Sequence, residues 1–258
     1  MSQTAPVPFA VGVQSEKLSP VDIRPQDTDS SALPPLRFHH PRELELDLRF
    51  DDPRKPRHRP PRDLARGGRA DCVRTDEGSV KAEPRDGDEC LLWVGDDRFA
   101  LVDVHWHTPS EHTVGGVAFP MEQHMKYQRV AGDGAEDAGG AEAEDSGYTV
   151  IGVFVHPGQA NDSLDRLLMS ARRSEGHWPV DGVGLDALLP SCTESYRYVG
   201  STTTCPYVPG VRWIVLTHPV QASAEALAHY RKVFPKGNAL ETQPLRDRRV
   251  VSDRHRWW

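Results

Sequence analysis

No apolar run in this chain approaches the length a helix needs to cross a bilayer, which excludes a helical membrane span. Hydrophobic residues make up only 37% of the 258 positions, and mean hydropathy is −0.58, low for a globular chain of this length. The polar excess is concentrated in a few segments, so the remainder can still build a normal core. Positive charge is not in excess: the net charge is −7, which gives no reason to expect nucleic-acid binding. The first residues, Met1 to Ala10, lack both the charged region and the long apolar stretch of a secretion signal, so a cytoplasmic location is predicted. No internal repeat is visible. Cysteine is scarce, at Cys72, Cys90, Cys192 and Cys205.

A β-rich chain of this length commonly forms one domain. Residues 1–16 read as a flexible arm ahead of a single domain over 17–258. Two polar insertions interrupt that domain. Near 51–72, Arg, Pro and Gly dominate and offer no core to bury, so this is a solvated loop. Near 131–147, a Gly/Ala/Asp/Glu run reads as a disordered surface loop. Glu43 to Phe50 alternates polar and apolar residues, as a half-buried strand should. Ser79 to Ala82, Cys90 to Val94 and Arg98 to Trp106 also read as strands. Leu164, Leu167 and Leu168 follow an Asn-Asp-Ser cluster at helical spacing, which predicts a helix over Asn161 to Arg173. A second helix is predicted over Ala222 to Phe234, capped by Ser223, with Leu227, Tyr230 and Val233 on one face.

The strongest chemical signal is histidine. A strand places residues i and i+2 on one face, so His105 and His107 point the same way, roughly 6–7 Å apart along the backbone. A turn at Gly115-Gly116 allows a second strand to bring His124 alongside. Three neutral imidazoles converging on one point would bind Zn²⁺ tetrahedrally with one position open, the catalytic arrangement rather than the closed structural one.

The stretch His105-Trp106-His107-Thr108-Pro109-Ser110-Glu111-His112, followed by Glu122 and His124, resembles the alpha-class carbonic anhydrases. So do Leu18-Ser19-Pro20-Val21-Asp22-Ile23, Leu33-Pro34-Pro35-Leu36-Arg37-Phe38 and Val150-Ile151-Gly152-Val153-Phe154. The loop Tyr198-Val199-Gly200-Ser201-Thr202-Thr203-Thr204 with the strand Val211 to Leu216, and Asn238 with Gln243-Pro244-Leu245, extend the resemblance over about residues 17–251. It is poor at 45–98 and 130–147. The resemblance implies a mainly β, single-domain fold: a large twisted, mostly antiparallel sheet of about ten strands with short peripheral helices, and zinc at the base of a conical cleft.

The implied function is reversible hydration of CO₂ to bicarbonate and a proton by zinc-bound hydroxide, with His105, His107 and His124 as ligands. Sulfonamides and anions are the inhibitors expected, and the oligomeric state stays open. Thr203 matches the loop threonine that orients the hydroxide, and Glu111 the buried carboxylate that takes the threonine proton. Glu122 would fix the tautomer of His124, and Asp103, where relatives often carry Gln, would act on His105. His112 reads as structural, partnered by Tyr198 and Ser19. Trp106, Val150, Val211 and Trp213 match positions near the CO₂-binding wall, with ordinary core packing as the rival reading.

The chain also departs from the family pattern. Gly78 stands where fast members carry a proton-ferrying histidine, so turnover should depend on buffer unless Glu77 or His58 takes over that role. Lys126 replaces a small apolar residue of the CO₂ pocket, and Thr202 replaces a Leu. Cys205 enters the active-site loop, which would put a thiol near the metal. The family's disulfide between a cysteine ahead of Ser19 and the loop cannot form, because the loop position is Tyr207. That favours a reducing compartment, with Cys72–Cys90 or Cys192–Cys205 pairs left open. A second reading rests on Gly78, Lys126 and the two insertions: a catalytically weak or inactive zinc-binding relative acting as a binding module.

Overall fold

The computed structural model describes residues 17–52, 77–85, 90–130 and 145–253. The predicted arm at 1–16 and most of both insertions lie outside these residues. In chain order the strands are β1 (Asp22–Ile23), β2 (Asp29–Ser30), β3 (Leu36–His39), β4 (Leu44–Asp51), β5 (Ser79–Pro84), β6 (Leu91–Val94), β7 (Asp97–His107), β8 (Thr113–Val114) and β9 (Val117–Ala118). They continue with β10 (Met121–Arg129), β11 (Tyr148–Pro157), β12 (His177–Val183), β13 (Ser195–Ser201), β14 (Pro209–Leu216), β15 (Val220–Ala222) and β16 (Val251–Ser252). Helix α1 is Asp162–Ser170 and α2 is Ala224–Val233.

One sheet of 13 strands dominates, running β12-β4-β5-β7-β10-β11-β14-β13-β16-β2, with β3, β6 and β15 branching from it. Most pairs are antiparallel, but β14 and β15 run parallel to β11, and β2 runs parallel to β16. The count exceeds the ten expected because β2, β15 and β16 have only two or three residues each, too few to show a period. A small sheet, β1-β8-β9, stands apart.

The central strands are buried on both faces, and their alternation sorts two kinds of side chain. From β7, β10 and β11, one face sends Val104, Trp106, Met125, Tyr127, Ile151 and Val153 into the main apolar core, which the helices cover. The opposite face carries His105, His107, Glu122 and His124, all buried despite their polarity. Helix α1 contributes Leu164, Leu167 and Leu168 to the main core, and α2 contributes Ala226 and Tyr230, with Leu227 and Val233 partly buried. Tyr230 donates its hydroxyl to the Trp106 carbonyl at 2.8 Å, tying α2 to β7.

Both helices begin where their caps place them. Asn161 Oδ1 accepts from Leu164 N–H at 3.1 Å, and Ser223 Oγ accepts from Ala226 N–H at 3.1 Å. Helix α1 stops at Ser170, three residues short of the predicted end, because Ala171 turns to extended backbone. Asn161 also donates Nδ2–H to the Ala187 carbonyl at 2.6 Å, linking the helix start to the 3₁₀ turn at Leu185–Leu188. Asn161→Ala should therefore lower unfolding stability by about 1–2 kcal/mol. Urea denaturation measures this, and an unchanged midpoint would mean that the cap does not form in solution.

Candidate metal centre

The antiparallel register of β7 and β10 sets His105 opposite His124 and His107 opposite Glu122. The three imidazoles therefore meet on one face, with ring centroids 5.2 Å (His105–His107), 5.2 Å (His105–His124) and 4.7 Å (His107–His124) apart. One nitrogen from each lies within 4.8 Å of the others, so the group can hold a single ion.

Each ring is oriented by a hydrogen bond on its outer nitrogen. His105 Nδ1 lies 2.6 Å from Asp103 Oδ1 and His107 Nδ1 lies 3.0 Å from the Asn238 carbonyl oxygen. His124 Nε2 lies 2.9 Å from Glu122 Oε1. Donation by these nitrogens leaves a lone pair on the opposite nitrogen of each ring, the tautomer that metal ligation needs. His124 Nδ1 is buried with no hydrogen-bond partner. An orphaned buried nitrogen costs stability unless something binds it, and an imidazole-loving divalent ion such as zinc fits this donor set. Burial also keeps the rings neutral. It pushes the pKa of His105 down to about 4 and that of His124 to about 3, against the opposing pull of Asp103 and Glu122.

The carboxylates divide by their surroundings. Burial alone would raise Glu122, but His112 and His124 outweigh it and hold the group well below its ordinary value. Glu122 Oε1 lies 2.7 Å from His112 Nδ1 as well as 2.9 Å from His124 Nε2, and Oε2 accepts from the His112 backbone N–H at 2.8 Å. His112 continues the chain through Tyr198 Oη at 2.7 Å, which lies 2.9 Å from Ser19 Oγ. Two glycines make room for this chain. A Cβ on Gly152 would sit 2.9 Å from Glu122 Oε1, and one on Gly200 would overlap Ser19 Oγ. Glu111 differs: burial pushes its pKa up to about 8, partly offset by the Leu240 N–H, which donates to Oε1 at 2.9 Å, and by the neighbouring Thr203 hydroxyl. Asp103 is held down by Lys81, His105 and Lys126 in spite of its burial.

The chain matches the model of the eukaryotic-type carbonic anhydrases over residues 94–254, well over half its length. It belongs to this family. It is 35% identical over 162 residues to a carbonic anhydrase of Pectobacterium carotovorum, covering 62% of this chain and 61% of that one. It is 31% identical over 157 residues to one from Nostoc sp., covering 60% and 54%. The matched region thus spans about three-fifths or less of these relatives. Among solved structures, the alpha-carbonic anhydrase of Thermovibrio ammonificans, in complex with the inhibitor sulfanilamide, superposes with a TM-score of 0.68 at 28% identity, covering 91% of this chain and 86% of that one. The Photobacterium profundum alpha-carbonic anhydrase shares the fold at 24% identity and a TM-score of 0.67, covering 91% and 88%.

Around the histidine centre, Val150, Val211 and Trp213 belong to one buried apolar cluster, and the Trp213 ring lies 4.9 Å from that of His124. Trp106 is not part of it. Strand alternation sends it to the opposite core, where Nε1 donates to Gln123 Oε1 at 3.2 Å. Thr202 braces its own loop: its hydroxyl donates to the Thr204 carbonyl at 3.0 Å and accepts from Val208 N–H at 2.9 Å. Lys126 pairs with Asp103 on one side and Val150 on the other, and its ammonium lies 3.9 Å from the centre of the Tyr148 ring.

Lys81 was not foreseen. Its ammonium lies 3.8 Å from Asp103 Oδ2 and 3.7 Å from Asp51 Oδ2. Asn238 was read only as part of a C-terminal signature, yet its carbonyl holds His107 and its side chain bonds Thr108, Gly78 and Trp106.

The cysteine expectations need correction. Neither Cys90 nor Cys192 is in a disulfide, whereas Cys205 is disulfide-bonded. Neither open pair forms, no thiol stands at position 205, and the cysteine pattern no longer favours a reducing compartment. A cavity of about 1010 Å³ opens beside the centre, lined by His107, Glu111, Thr203, Tyr207, Glu77 and Gly78.

Gly152→Ala should displace the Glu122 carboxylate and lower zinc affinity about tenfold or more. Competition against a chromophoric chelator reads this directly. Unaltered affinity would mean that Glu122 can shift without releasing His124.

Proposed function

We propose that this protein is a zinc-dependent carbonic anhydrase that hydrates CO₂ reversibly to bicarbonate and a proton. The observation that carries the proposal is the buried His124 Nδ1, which has no hydrogen-bond partner and faces two further imidazoles whose outer nitrogens are already engaged. Zinc held by His105, His107 and His124 would lower the pKa of a bound water to about 7 and so supply hydroxide at neutral pH. The remaining chemistry falls to the chain. Asp103, the Asn238 carbonyl and Glu122 fix the three rings. Thr203 would donate its hydroxyl hydrogen bond to Glu111 and so keep its lone pairs turned toward the attacking oxygen, orienting it toward the CO₂ carbon. Glu111 must be ionised for this; burial opposes that form, and a divalent cation held by the three neutral rings would favour it. Val150, Val211 and Trp213 offer CO₂ an apolar wall.

Proton export is the weak step. Gly78 lines the cavity without a titratable group, and the neighbouring Glu77 is paired with Arg173 at 3.0 Å. The proton therefore passes to external buffer.

Stopped-flow CO₂ hydration on zinc-quantified protein tests the proposal. Turnover should rise with buffer concentration and fall with a sulfonamide, at one zinc in the histidine centre. Full zinc without turnover at any buffer would sink the enzymatic reading in favour of a binding module. His107→Ala should abolish activity and reduce zinc affinity by orders of magnitude, and retained zinc there would overturn the ligand assignment. Gly78→His should raise turnover severalfold in weak buffer and little in strong buffer; equal rates in both would mean that proton transfer does not limit.

A further inference from the structure

At the opposite end of β13 and β14 from the active-site loop, three side chains of different chemistry converge. The two strands pair antiparallel, with Ser195 opposite Leu216. Thr217 N–H donates to the Glu194 carbonyl at 2.9 Å, which extends the ladder one step beyond its regular end. Glu194 is thereby set across from Thr217, with His218 next in the chain. Cys192 reaches the same place from the segment that leads into β13. Asp253 anchors the platform: its carboxylate accepts from Ser195 N–H at 2.6 Å and lies 3.5 Å from the Arg197 guanidinium. One donor atom each from Cys192, Glu194 and His218 lies within 4.8 Å of the others. The Cys192 thiol is free, and a cavity of about 400 Å³ beside the group is lined by Cys192 and His218 together with Asn161 and Gln221.

We infer that Cys192, Glu194 and His218 form a second metal site, which takes zinc or another thiophilic divalent ion. Thiolate, imidazole and carboxylate are the three donor types that zinc accepts in tetrahedral geometry. The sulfur donor disfavours magnesium and calcium, which call for oxygen ligands alone. Three protein donors leave a fourth position open to the adjoining cavity for water or a small anion. His218 Nδ1 lies 3.0 Å from Thr217 Oγ1, and donation there fixes the tautomer whose Nε2 carries a lone pair. Binding converts the Cys192 thiol to a metal thiolate and releases its proton to solvent. The site is separate from the histidine centre. His218 is five residues along from Trp213, the ring that abuts His124, which is on the order of 15 Å of extended chain.

Cobalt(II) discriminates the two sites, because only this one supplies sulfur. Metal-stripped protein, kept free of reductant to preserve the Cys205 disulfide, is titrated with cobalt while absorbance and bound metal are followed. Two equivalents per chain should bind, with a thiolate-to-cobalt charge-transfer band accompanying one of them. Cys192→Ser should remove that band and one equivalent, and His218→Ala should weaken the same equivalent tenfold or more. CO₂ hydration and the circular dichroism spectrum should stay unchanged in both variants. A single equivalent without the band, or a band that survives Cys192→Ser, would overturn the inference. A lone equivalent that does carry the band would support this site while sinking the histidine centre, so the two readings fail separately.

Discussion

The register between β7 and β10 is the constraint on which the rest of the molecule depends. Both strands are buried on both faces, and their two faces differ completely in chemistry. Val104 and Trp106 fill an apolar core, while His105 and His107 face a polar chamber one residue away in sequence. A slip of one residue would exchange these sets. Trp106 and Met125 would enter a chamber built for hydrogen bonds, and the imidazoles would lose their partners in an apolar core. Each loss costs several kcal/mol, so the apolar core that stabilises the sheet also enforces the geometry of the centre. Folding and site assembly are one event here.

The chamber concentrates charge that an isolated protein would avoid burying. Asp103 and Glu122 are held ionised, Glu111 is pushed toward protonation, and four histidines lie among them. The network is stable because nearly every polar atom is assigned. Glu122 alone ties His124, His112 and the His112 backbone together, and through Tyr198 the chain reaches Ser19, near the start of the described fold. One of the atoms without a hydrogen-bond partner, His124 Nδ1, faces the other two rings. A divalent cation there would satisfy it and offset the buried carboxylates together.

Much of this was legible in the sequence because it rests on short periods. The spacing of His105 and His107, the return of His124, and the caps at Asn161 and Ser223 are local patterns with local causes. The helix faces carrying Leu164, Leu167, Leu168 and Tyr230 are local in the same way. What escaped was long-range or carried no side-chain signal. The Asn238 carbonyl that holds His107 is a backbone atom 131 positions away. Strands β2, β15 and β16 are too short to show alternation. Lys81 meets Asp103 only because β5 pairs with β7. For Trp106 the rival reading of ordinary core packing holds, since the alternation that puts His105 and His107 on one face sends it to the other. The disulfide at Cys205 depends on tertiary proximity that no spacing rule encodes.

The carboxylate of Asp103 behind His105 has a consequence for how this sequence can change. A carboxylate so deeply placed is tolerable only beside a cation, and Lys81 stands 3.8 Å away on the neighbouring strand. Either residue exchanged alone unbalances this interior group, although Lys126 also acts on Asp103 and Asp51 also pairs with Lys81, so exchanging both for neutral side chains is the milder change. The two positions therefore form an epistatic pair. A neutral side chain at position 103 is therefore reached with least loss when position 81 changes with it.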